Sequence, residues 1–231
     1  MIATIHQANY LPYPGFFHKL ITSDIFVVMD DVQYQYDLTN RNKIIGNNVN
    51  GWTRITIPTK KQHKFSSIKD VEINNKLPWR ETNWNQIYQT YGNYPFFNLY
   101  REYLESLYKK EWTHLFAINL EIIKKIIKWL DIKIEIILES QLNVSGNSTE
   151  RLVNVCKIVG ADSYISGMGG KMYLNEKLFS ENKIKLVYQN YIPLMYSQKL
   201  SKSFIPNLSI LDLLVNVGPD SLKLIRNNVQ L

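Results

Sequence analysis

Four short apolar runs, at residues 2–5, 25–29, 134–138 and 163–166, each stop directly at polar side chains. Runs this short, rich in Ile, Val, Phe and Tyr, read as strands buried within a sheet. Residues 184–188 read as a further strand. Helical patterns separate these strands, and a strand–helix–strand rhythm builds a mainly parallel sheet. In such a sheet the groups that follow each strand gather along one edge. Here they are His6, Asp30 with Asp31, Ser140, and Ser166 with Gly167. Open α/β sheets bind ligands outside that edge, where strand order reverses. The expected fold is therefore α/β, with a mainly parallel, Rossmann-like central sheet flanked by helices.

The first strand end is the most distinctive. His6-Gln7-Ala8-Asn9-Tyr10-Leu11-Pro12-Tyr13-Pro14-Gly15-Phe16-Phe17 brings an imidazole, an amide pair and two phenols into one loop. Pro12 and Pro14 stiffen it, because each fixes its own φ and restricts the residue before it. Gly15 lets the backbone turn closely into the first helix. His6, at the strand end, is the leading acid/base candidate; a phosphate contact when protonated, or a bond to the loop itself, are its other uses. Asp31 reads as a base, a metal ligand or a ribose partner, and Asp30 as a partner in the same site or a turn cap.

The opening stretch, continued to Lys19, resembles the signature of the WbqC-like family. The likeness runs on through Asp30-Asp31-Val32-Gln33, Asn40-Arg41-Asn42, Ser166-Gly167-x-Gly169-Gly170-x-x-Tyr173-Leu174 and Ser209-Ile210-x-Asp212-Leu213-Leu214. It covers nearly the whole chain in order. Two positions depart from the pattern: Ala8 stands where members usually have Pro, and His18 where they have an acidic residue. The second departure argues against His18 as an essential base. The resemblance implies association with O-antigen and other surface-polysaccharide gene sets. Together with the polar rim it points to a cytoplasmic transferase acting on a nucleotide-linked sugar. Acyl or aminoacyl transfer to an amino sugar is preferred over transfer of the sugar itself. ATP or an activated acyl or aminoacyl donor would be the co-substrate, and no cofactor is specified. The alternative is a non-catalytic nucleotide-sugar-binding or scaffold protein of the same pathway. Within these segments His6 and Asp31 are the expected catalytic residues. Gln7, Asn9, Tyr10, Asp30, Gln33, Asn40, Arg41, Asn42, Ser140, Ser166, Gly167, Gly169, Gly170 and Tyr173 are the expected substrate contacts. A weaker likeness in layout links the chain to nucleotidyltransferase-like and pantothenate-synthetase-like proteins, which form acyl adenylates and then amides.

Composition narrows the partners. No apolar run reaches the ~20 residues needed to span a bilayer, and the first strand begins at Ile2, so the chain is expected in the cytoplasm. Cys156 is the only cysteine and sits in an apolar helical pattern, which reads as a buried thiol. The net charge of +7 comes from scattered lysines, with Lys60, Lys61 and Lys64 the densest loop cluster. No nucleic-acid-binding motif accompanies it, so nucleic acid is not the expected partner. No His, Asp or Glu spacing marks a metal site.

The 231 residues read as a single α/β domain. Residues 35–51 form a long polar loop, 52–58 a half-buried strand, and 68–73 another short strand. Helical periodicity takes over in residues 78–131, which read as a helical layer or insertion. Ser148 or Thr149 is the expected cap of the next helix, which Gly160 ends; Asn175 and Ser209 cap later ones. The Gly167–Gly170 turn, with Lys171 beside it, is suited to an anion, and Arg41 to a carboxylate or phosphate.

Overall fold

The chain runs through β1 (Ile2–Gln7), α1 (Pro14–Ile21) and β2 (Ile25–Met29), then a hairpin of β3 (Arg41–Ile45) and β4 (Trp52–Thr56). Three helices follow, α2 (Trp79–Tyr91), α3 (Phe97–Lys109) and α4 (Leu115–Trp129). The remainder comprises β5 (Glu135–Leu138), α5 (Ser148–Val159), β6 (Ser163–Ser166), α6 (Glu176–Glu181), β7 (Lys185–Tyr188), α7 (Ile210–Val217) and α8 (Ser221–Arg226). These elements come from a computed structural model that describes residues 1–61, 66–199 and 203–227. Lys64 of the basic loop lies outside the described residues.

Strands β5, β2, β1, β6 and β7 pair in that order, and every pairing is parallel. The order steps outward from β1 through β2 and β5, then from β1 the other way through β6 and β7. It therefore reverses between β1 and β6. The mainly parallel α/β sheet expected from the apolar runs is present, with all its carboxyl ends along one edge.

Alternation along each strand sends successive side chains to opposite faces. Ala3, Ile5, Ile25 and Val27 pack against Leu152, Val153 and Cys156 of α5 and Phe179 of α6. Phe26 and Val28 face the other way, toward Phe16, Phe17 and Leu20 of α1. That apolar cluster continues into the buried sides of α2, α3 and α4. Both faces are thus covered by helices, and the sheet edge is left to carry polar groups.

Three local expectations are corrected. Residues 41–45, read as part of a polar loop, form β3, which pairs antiparallel with β4 outside the main sheet. Asn42 is buried on the same side as Ile44, and Ile45 next to it is buried too, so a buried polar residue and two adjacent buried isoleucines mask the period-2 signal. Residues 68–73 hold a single 3₁₀ turn (Ile68–Asp70) rather than a strand. The helix α5 begins at Ser148 with Asn147 at its cap position. Gly160 does end it, at φ 73°, a left-handed conformation that glycine adopts without strain.

The chain after β7 is tied to α7 by a buried carboxylate. Asp212 accepts hydrogen bonds from Tyr196 Oη (2.8 Å) and Gln198 Nε2 (3.1 Å). Burial raises its carboxyl to about 6. An unfolded Asp titrates near 3.9. Between about pH 4 and pH 6 the folded protein therefore holds a proton that the unfolded chain has released. Stability from this group is full below that window and declines as pH rises through it, by ~3 kcal/mol in all. Asp212→Asn keeps an acceptor for both donors. It is expected to flatten the pH 4–6 slope of the thermal midpoint and to raise the midpoint at about pH 8. An unchanged profile would place the titration elsewhere.

Candidate functional site

A cleft of about 770 Å³ opens at the carboxyl ends of β1 and β6, where the strand order reverses. His6, Gln7 and Asn9 enter it from β1 and the loop that follows. Asp31 and Gln33 enter from the end of β2, and Ser166, Gly167, Gly169, Gly170 and Tyr173 from the end of β6. Parallel strands thus bring together ten of the residues singled out in the sequence, from three separate segments.

The half-buried His6 ring packs edge-on against Phe16 of α1. Its Nδ1 lies 2.9 Å from the Gln7 carbonyl oxygen. A carbonyl only accepts, so Nδ1 carries the proton and Nε2 is the acceptor. Burial, and then the nearby Lys19 ammonium, hold the imidazole down to about 3. At neutral pH the ring is uncharged, which suits an acceptor at Nε2 better than a cationic contact to phosphate.

The loop after His6 is clamped by asparagine side chains from three other elements. Asn42 of β3 donates to the carbonyls of Tyr10 (3.2 Å) and Leu11 (2.7 Å). Leu11 has φ 44°, a strained conformation for a branched residue, and this clamp sits directly on it. Asn119 of α4 donates to the carbonyls of Ala8 (2.8 Å) and Thr39 (2.6 Å). Asn83 of α2 donates to Tyr10 Oη (3.2 Å) and the Thr56 carbonyl (3.0 Å). The helices of residues 78–131 therefore do more than cover the sheet; they hold the His6 loop in one shape.

Asp31 pairs with Lys69 (2.8 Å) and accepts from Ser67 Oγ (3.0 Å). These contacts, Lys69 foremost, hold its carboxyl below the usual range. A carboxylate so stabilised is a weaker base. It fits an acceptor for ligand hydroxyls better than a group that removes protons. Among the described residues no cluster of His, Cys, Asp and Glu is arranged to hold a metal ion.

Other expected contacts are placed away from the cleft. Tyr10 is fully buried, its hydroxyl bonded to Tyr108 and Asn83. Asp30 caps the turn after β5, accepting from the Ser140 amide (2.8 Å) and hydroxyl (2.6 Å). Asn40 is buried and donates to the Ile57 carbonyl. These four residues, Tyr10, Asp30, Asn40 and Ser140, have structural partners that account for them. Arg41 and Asn42 line a second hollow of about 620 Å³ instead. Tyr13, Leu38, Met168 and Gln189 line both hollows, so the two adjoin. His18 is buried, with Nδ1 2.8 Å from Gln189 Nε2, and does not line the cleft.

The glycine turn has a telling asymmetry. A Cβ at Gly170 would fall 2.2 Å from Ser166 Oγ and 2.9 Å from Leu174 Cδ1, so a larger residue fits there only if both side chains shift. Gly167 and Gly169 meet nothing within 4 Å, and neither has positive φ. The fold needs neither glycine, yet both line the cleft. Close approach of a ligand to the backbone explains them. The turn that starts at Met168 also has its first amides without intrahelical acceptors. Gly169→Ala is expected to leave the thermal midpoint within about 0.5 kcal/mol of wild type. It is expected to weaken ligand binding about tenfold, measured by calorimetry, whereas Gly170→Ala should destabilise the fold itself.

Lys19, Arg151, Tyr13 and Gln189 also line the cleft and were not anticipated. Arg151, in the first turn of α5, bonds the buried Glu139 (2.7 Å) and the Val144 carbonyl (3.1 Å). Asn147 and Ser148 bring the positive end of the same helix to the cleft wall. A signal for Lys19 was present: a lysine inside the apolar sequence of α1, at a position that the resemblance already matched.

The sequence model of the WbqC-like protein family matches residues 7–224. A protein of Mycobacterium tuberculosis, known as uncharacterized protein Rv1507c, is 31% identical over 228 residues, covering 96% of this chain and 97% of that one. No solved structure gives a significant match. Both similarities run through the strand ends and loops that build the cleft, and the chain belongs to the WbqC-like protein family.

Proposed function

We propose that the chain is a transferase that modifies a nucleotide-linked sugar in surface-polysaccharide synthesis in the cytoplasm, by acyl or aminoacyl transfer to an amino sugar. The observation that carries this reading is His6: a neutral imidazole, fixed in one tautomer, in a cleft at the reversal of a parallel sheet. Amide formation requires a proton to leave the attacking amine and charge to be stabilised on the carbonyl oxygen. Nε2 of His6 serves the first need, and the free amides of the Met168–Gly169 turn serve the second. Arg151 and the N-terminus of α5 favour the phosphates of an activated sugar. The adjoining hollow, with Arg41, Lys43 and Arg54, gives room for a second substrate. Incubation of the purified protein with amino-sugar nucleotides and acyl or aminoacyl donors, read by mass spectrometry, tests this. A product heavier by the acyl group supports transfer; nucleotide-sugar binding without any product rejects it.

One observation favours the rival reading, a binding protein of the same pathway. An imidazole held down to about 3 is a weak base. Under that reading His6 and Asp31 only hydrogen-bond the sugar, and the same incubation returns binding alone.

A further inference from the structure

Lys19 stands on α1 among Phe16, Phe17 and Leu20 and is 4% exposed, yet it lines the cleft and lies close enough to His6 to act on its charge. No hydrogen bond or ion pair joins its ammonium to any of the described residues. Burial alone governs its ionisation, pushing it down to about 8. An ammonium taken out of water without a counter-charge is costly. The carboxylates around the cleft are engaged elsewhere: Asp31 with Lys69, Glu139 with Arg151. No side chain of the cleft supplies the missing negative charge.

We propose that Lys19 is the anion-receiving group of the cleft: a carboxylate or phosphate of the ligand docks on its ammonium, beside the His6 imidazole. This rests on the cleft being the ligand site, and not on the transfer chemistry. It also links binding to reactivity. The Lys19 charge opposes protonation of His6, and a docked anion cancels that opposition. With the ligand in place the ring loses the Lys19 part of what holds its basicity down, while burial, the larger cause, stays.

Lys19→Met, close in volume and apolar, separates this from a structural role. Thermal unfolding of the full chain would be followed with added acetate, inorganic phosphate or pyrophosphate, and with chloride at matched ionic strength. For wild type, acetate or the phosphates should raise the midpoint beyond chloride, and the more effective arm identifies the anion. Lys19→Met should melt at or above wild type without anions, because a buried uncompensated charge is gone. Its affinity for the effective anion should fall about tenfold or more, the loss of one charge-assisted contact. Should Lys19→Met fail to fold, Lys19→Gln carries the same expectation for anion affinity. An anion response in either variant equal to wild type would overturn the proposal, as would no response in wild type. Lys124→Gln, at an exposed lysine of α4 that does not line the cleft, should keep the response. A clear Lys19-dependent response with no product in the sugar-transfer incubation would reject the transfer chemistry alone.

Discussion

Asn119→Leu is expected to destabilise the protein by roughly 2–4 kcal/mol and to lower its thermal midpoint by roughly 5–15 °C. Asn119 sits on an otherwise apolar face of α4, fully buried. Its amide spends both hydrogens, on the Ala8 and Thr39 carbonyls. Leucine fills nearly the same volume but leaves both carbonyls buried and unsatisfied, which costs ~1–3 kcal/mol each. Part of that is offset, because the Asn119 carbonyl oxygen has no partner among the described residues and its burial cost disappears too. Denaturant unfolding gives the free energy directly. The loop should also loosen around His6, so ligand affinity should fall along with stability. A variant as stable as wild type would show that the loop is held by its prolines and apolar packing alone.

His6 carries the largest expected effect on activity. His6→Ala and His6→Asn should both fold, since the ring is half-buried and its one bond is to a neighbouring carbonyl. If Nε2 removes the proton from the attacking amine, both should lower kcat by a factor on the order of 10² or more. Asparagine offers hydrogen bonds but cannot take up a proton near neutral pH. It therefore separates the two roles: a binding histidine would leave kcat largely intact in His6→Asn and change KM. Full activity with unaltered affinity in His6→Ala would make the residue structural.

How much of this was visible in the sequence depended on whether a residue's task was local. Apolar runs such as Ile25–Met29 declare buried strands by themselves, and their alternation with helices implies parallel pairing. From that, the gathering of His6, Asp31 and the Ser166–Gly170 turn on one edge followed. Long-range tasks were not visible. Asn42 and Asn119 reach carbonyls 31 and 111 residues away, and nothing near either residue announces this. Tyr10 is a case of the opposite kind: a phenol in a polar loop that the helical layer buries against Tyr108. Asp30 and Asp31, adjacent in sequence, point to opposite sides of the strand end. One caps a turn and the other reaches the cleft. Lys19 was overlooked because a lysine on a short helix is ordinarily exposed; only the packing of α1 shows that it is not.

The central claim, that the cleft between the ends of β1 and β6 is the ligand site, has a direct readout in the methionines. The chain has five. Met29 and Met168 line the cleft, whereas Met1 precedes β1 at the opposite edge of the sheet. With methyl-labelled methionine, titration of a nucleotide-linked amino sugar is expected to shift the Met29 and Met168 signals in NMR spectra and to leave Met1 in place. Saturable binding that moves neither Met29 nor Met168 would contradict the account.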